Sequence, residues 1–289
     1  MLPIFFIGTF VISWAFWILA AVLQNHPADQ VLGVPALLNL AGAFAPSLMA
    51  ITLIGVSEGR RGVREVVRRM LIWRVGAGWY MFVLAAPAAM TLAARQVGRL
   101  FGTAAPDFAN PPIRMLLAVS ETAVPLWVLL LPIFLQQLVF GSAMGEEMGW
   151  RGYALPRLQA RHTALRASLL LGTIWGLWHV PRLWVQYEGP VGLPFAWFVV
   201  GSVLGTLATA IVFTWVWNST RGSLLLVLLF HAAYSVSGLF LPLAPTTVAL
   251  SISWMVALGA IAAGGAELLS GRRSSAASPP TATDALPRI

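Results

Sequence analysis

The sequence contains no cysteine. Structural disulfides, thiolate catalysis and cysteine-ligated zinc are therefore excluded. It contains no lysine either, so all 18 basic residues are arginine. Charge of either sign is scarce. Only 10% of the residues are charged, against roughly 25% in a soluble domain. What fills the chain instead is apolar: 58% of its 289 residues are hydrophobic and the mean hydropathy is +0.81. That composition belongs to a polytopic membrane protein. It predicts an all-α bundle with a single transmembrane domain over residues 1–270. Residues 271–289, rich in Ser, Ala, Thr and Pro, are expected to form a disordered cytoplasmic tail.

The apolar runs predict about eight spans. They fall at Ile4–Leu23, Val34–Val56 and Trp79–Ala94, then from near Met115 into the 140s. The remainder are Ala167–Val185, Pro194–Trp217, Leu224–Phe240 and Val248–Leu269. Each is close to the ~20 residues that cross a bilayer. The first is too long for a signal-peptide core and lacks a charged n-region, so it reads as an uncleaved helix. Glu121 and Pro125 predict a break early in the fourth span, and Arg95–Arg114 reads as a loop.

Between the second and third spans stand Arg60, Arg61, Arg64, Arg68, Arg69 and Arg74, interleaved with Val63, Val66, Val67, Met70, Leu71 and Trp73. That pattern predicts a basic amphipathic helix on the cytoplasmic membrane surface. A net charge of +8 would suit nucleic acid. However, these arginines lie in short loops between spans, where they orient a membrane protein, so no nucleic-acid partner is expected. With the basic helix inside, only Arg95, Arg99, Arg114 and Arg182 fall outside. The positive-inside rule then puts both termini in the cytoplasm of a bacterial cell, with a multi-pass chain in its plasma membrane. Small-residue ladders at Gly141, Gly145 and Gly149, at Gly172 and Gly176, and at Gly201 and Gly205 predict close helix packing.

Against this background a few polar residues stand out. The fourth span ends in Gly145-Glu146-Glu147-Met148-Gly149-Trp150-Arg151. Ionisable groups at membrane depth face a polar cavity or a partner and mark function. On a helix Glu147 and Arg151 are four apart, in the acid-first order that pairs best. Glu146 points about 100° away. Glu147 thus reads as the structural carboxylate and Glu146 as the chemical one. His179 lies inside the fifth span and His231 inside the seventh, with Ser235 one turn on along the same face. His26 and His162 fall in loops. A lone membrane histidine is often only an interhelical hydrogen bonder. Here two of them and a Glu pair sit on three helices with almost no other intramembrane charge to engage.

These residues resemble the motifs of the CPBP family, the CAAX proteases and bacteriocin-processing enzymes also called the Abi family. Its pattern is Glu-Glu-x-x-x-Arg, then Phe-x-x-x-His, then His-x-x-x-Asn or Asp. Glu146, Glu147 and Arg151 match the first motif in full. Trp175 and His179 match the second with Trp in place of Phe. His231 and Ser235 match the third with Ser in place of Asn or Asp. The likeness covers about residues 125–240, which would be the catalytic core. It implies an intramembrane endopeptidase acting on a lipidated CAAX-type protein or a leader peptide among membrane lipids. Glu146 and His179 would activate the attacking water. His231 and Ser235 would stabilise the oxyanion, and Arg151 would hold Glu147. A zinc ion held by Glu146, His179 and His231 stays open. The His-Glu-x-x-His signature is absent, and direct general-base catalysis by Glu146 is equally allowed. A non-catalytic scaffold or immunity protein of the same fold is the alternative, favoured by Ser at 235. A transporter using these groups to relay protons is a remote third.

Overall fold

The computed structural model describes residues 1–23, 33–117, 124–186, 194–242 and 244–269. Glu121, His26, most of the first loop and the tail lie outside them. Among the described residues every regular element is helical. With 58% hydrophobic residues and few charges, each backbone N–H and C=O must be satisfied within its own segment, and a helix does this.

Helix α1 is Leu2–Leu23 and α2 is Val34–Met70. Helix α3 is Ala77–Leu100, running past the expected end of the third span into what was read as loop, and α4 is the short Pro112–Leu117. Leu126–Val139 forms α5, and Ser142–Glu147 forms α6. Met148–Ala154 is a π-helical turn, followed by α7, Leu155–Gln159. Helix α8 is Ala164–Trp178 and α9 is Val180–Gln186. Last come α10, Phe195–Ser219, α11, Leu224–Phe240, and α12, Thr246–Leu269. Six helical segments are long and apolar enough to cross a membrane, and α8 and α11 are shorter apolar helices. The chain is therefore a multi-pass helical bundle. Its outer face is what lipid requires: α5 has no buried residue and presents Trp127 and Leu131 outward.

Two expected elements are one. The second span and the basic amphipathic segment form a single helix, α2, bent at Gly59, whose φ of 61° and ψ of −155° only glycine adopts readily. Beyond the bend Gly62 and Val66 are buried, while Arg60, Arg61, Arg64 and Arg68 are exposed. The segment is fastened at its end. The Arg69 guanidinium lies over Trp217 at 5.3 Å, and Ser223 Oγ donates to the Ile72 carbonyl at 2.6 Å. Arg221 donates to the Arg74 carbonyl.

Pro46 shows how the bundle absorbs a helix breaker. Proline has no N–H, so the carbonyl four residues back, at Gly42, loses its helical donor. Ser13 Oγ on α1 donates to that carbonyl at 2.8 Å. Close approach continues along this line. A Cβ at Gly145 would sit 2.7 Å from the Ala43 carbonyl oxygen, and one at Gly149 would sit 2.6 Å from the backbone of Pro46. Gly172 and Gly176 meet α10 at Leu207, Ala210 and Val203 in the same way. The third expected ladder does not: among the described residues a Cβ at Gly201 would meet nothing within 4 Å, and one at Gly205 would meet only a Leu250 methyl, at 3.9 Å. Small residues permit contact there without making it.

Candidate active site

The Glu pair closes α6, and the arginine sits in the π turn that follows. Glycines 145 and 149 seat this stretch against α2 around Pro46, and Ser47 Oγ donates to the Met144 carbonyl at 2.7 Å. Sequence periodicity predicts an α-helix through Arg151. The structure has a wider turn instead, a form that recurs at functional sites. Glu146, Glu147 and Arg151 are all buried.

Glu147 has two partners. Arg151 Nη1 donates to both of its oxygens, at 2.8 and 3.0 Å, and His231 Nδ1 lies 2.6 Å from Oε1. The second partner joins α11 to the first motif, a link that helical spacing alone does not reveal. Arg151 is held on its flat faces too. Its guanidinium carbon lies 4.4 Å from the Trp175 ring centre and 4.1 Å from that of Phe213. Its Nε and Nη2 have no hydrogen-bond partner among the described residues. The two π faces supply the missing stabilisation for a planar, weakly hydrated cation.

Glu146 points elsewhere. Trp175 Nε1 donates to its Oε2 at 2.7 Å. This contact answers the departure noted in the second motif, because a phenylalanine at 175 has no donor to offer. Among the described residues no hydrogen bond reaches Oε1. One turn along, His179 Nδ1 lies 2.9 Å from the Trp175 carbonyl oxygen. A carbonyl only accepts, so Nδ1 carries the proton and Nε2 of a neutral ring presents a lone pair. His179 also caps α8, where the expected fifth span stops short and restarts as α9. Trp17 from α1 lies nearly parallel to its ring, with centres 6.2 Å apart.

Ser235 is the outlying member. Its hydroxyl faces Ser142 Oγ at 3.3 Å. Among the described residues no hydrogen bond joins it to Glu146, His179 or His231. Nor do three His, Asp or Glu side chains converge among those residues where they would hold a metal ion. One nitrogen of each histidine is already engaged, by the Trp175 carbonyl or by Glu147. The other ring nitrogen of each histidine is left as the one that could take a ligand.

Some wall residues escape sequence reasoning. Phe213 is one of many aromatics in an apolar span, and Trp17 carries no motif. Arg182, expected at the outer end of the fifth span, lies one helical turn past His179 with its guanidinium 5.5 Å from the Trp17 ring centre. The i, i+3 spacing from His179 was the available signal.

A helical membrane bundle that buries two carboxylates, an arginine and His231 at one junction, with His179 half-buried beside them, has the parts of an intramembrane hydrolase. Residues 123–237 match the Rce1-like family model of type II CAAX prenyl endopeptidases. Over 231 residues the chain is 27% identical to CAAX prenyl protease 2 of Methanococcus maripaludis, covering 79% of this chain and 80% of that one. The match supports intramembrane endopeptidase activity, and hence a protease.

Proposed function

We propose that this chain hydrolyses a peptide bond in a membrane-associated substrate of the CAAX type, with Glu146 activating the attacking water. The observation that carries the reading is the contrast between the two carboxylates. Glu147 is engaged by Arg151 and His231, whereas among the described residues Glu146 keeps one oxygen free in a buried setting. Glu146 takes a proton from water as the oxygen attacks the scissile carbonyl carbon. His179 Nε2 accepts from the same water and fixes its direction. The tetrahedral oxyanion is met by a donor from His231. The C–N bond then breaks, and Glu146 returns the proton to the departing amine. Shielding from water strengthens each of these interactions.

The test uses the purified full chain in bilayer discs, with a peptide carrying a prenylated cysteine three residues from its C-terminus. Mass spectrometry should show one cut after that cysteine, lost in Glu146→Ala. Cleavage of an unlipidated leader-type peptide in preference would move the substrate class. Absence of any cut, with a cellular phenotype that still needs Glu146, would favour the non-catalytic reading, to which Ser in place of Asn or Asp at 235 lends support.

A smaller prediction follows from Trp175. Trp175→Phe keeps an aromatic face for Arg151 and removes one hydrogen bond to a carboxylate, a contact worth about 1.5–3 kcal/mol. We expect kcat to drop about tenfold or more with KM little changed. An unaltered kcat would mean that the indole does not position Glu146.

A further inference from the structure

Arg182 makes no ion pair with a carboxylate among the described residues. It is partly buried on α9, and among the described residues no hydrogen bond or ion pair reaches its guanidinium. An arginine at such a depth normally faces a partner or a cavity. Its plane lies over Trp17, the indole that also flanks His179, so both residues share one wall. Leu183 N donates to the His179 carbonyl at 3.0 Å, so the chain turns helically from the histidine into α9. That turn carries the arginine about 4.5 Å along the axis from His179. Its charge acts on both Glu146 and His179. Glu146 does not pair with it, and Glu147 is already occupied.

A guanidinium stacked on an indole leaves its N–H edges open, in the fork that matches a carboxylate. We infer that Arg182 binds the C-terminal carboxylate of the substrate, making it a specificity-determining residue. This rests on the endopeptidase reading above. In that reading three residues follow the scissile bond, and extended they reach about 10 Å. One helical turn plus an arginine side chain spans a distance of that order. A free carboxylate at this place would both neutralise Arg182 and fix how far the substrate enters. A chain continuing past the third residue would leave the cation unpaired, which disfavours internal sites.

The experiment compares two prenylated peptides of identical sequence, one ending in a free acid and the other in an amide. The full-length protein is assayed in neutral phosphatidylcholine discs. The wild type should favour the acid by about 10- to 100-fold in kcat/KM, the scale of a charged hydrogen-bonded contact, with the difference in KM. In Arg182→Gln the ratio should approach one, and in Arg182→Lys it should be intermediate, because the charge remains without the fork. The acid product tripeptide should inhibit the wild type and lose that effect in Arg182→Gln. Equal use of acid and amide by the wild type overturns the inference and leaves the endopeptidase reading standing, whether or not the variants fold. Equal loss of kcat on both substrates in Arg182→Gln overturns it in favour of a role in the chemical step. A preference that appears only when anionic phosphatidylglycerol is added would assign Arg182 to lipid phosphate instead. Cleavage of neither peptide removes the endopeptidase reading, and this one with it.

Discussion

Arg151→Ala is expected to destabilise the folded protein by about 3–5 kcal/mol, the usual result of removing one member of a buried ion pair. Three losses act together. Glu147 keeps His231 but loses the two contacts at 2.8 and 3.0 Å that balance its charge. Trp175 and Phe213 lose the cation between them, leaving a gap in a packed interior. The π turn loses its tie back to α6, at the point where α2 presses on it through Gly145 and Gly149. Arg151→Lys should recover only part of this, since an ammonium keeps the charge without the planar stack. Thermal unfolding in detergent, together with folded yield, reads the effect. An Arg151→Ala protein with wild-type melting behaviour would mean that the pair is not a structural brace and that the two carboxylates need reassigning.

The sequence announced the parts of this site more clearly than their connections. Sparse charge in an apolar chain made Glu146, Glu147, Arg151, His179 and His231 conspicuous, and the (i, i+4) rule was enough to pair Glu147 with Arg151. Contacts across helices have no such rule. That His231 meets Glu147 depends on how α11 is rotated against α6, which packing decides. That Trp175 reaches Glu146 depends on how α8 is placed against α6, which packing also decides. Breaks were harder still. The π turn at Met148–Ala154 lies where Gly149 meets the backbone of Pro46, and the stop at His179 is a capped helix end. Hydrophobic periodicity is blind to both, because membrane helices are apolar on nearly every face. The bend at Gly59 was half legible: the change from apolar to basic residues was plain, but not the continuity of the helix through it.

His231→Ala should abolish turnover, and Ser235→Asn should raise it. The His231 ring is oriented by Glu147, which accepts from Nδ1 at 2.6 Å. For Nε2 to donate to an oxyanion the ring must carry a second proton, and the Glu147 carboxylate is placed to balance that charge. Alanine removes both the donor and a partner of Glu147. Loss of one oxyanion donor costs about 10²–10³ in rate, and the disturbed Glu147 adds to it. His231→Gln separates the contributions: a side-chain amide still donates, so part of the rate should return if donation is the role, and none if the imidazole acts as a base. Ser235 has a short hydroxyl turned toward Ser142 at 3.3 Å, one turn beyond His231 on α11. An asparagine amide extends farther from the backbone and is held planar. Placed there it supplies a second donor on the His231 face, as the related motif does, and turnover should rise by some part of that same 10²–10³. Single-turnover rates on the prenylated peptide measure both changes. Should Ser235→Asn leave the rate where it was, position 235 lies outside the oxyanion site, and His231 alone supplies the side-chain donor.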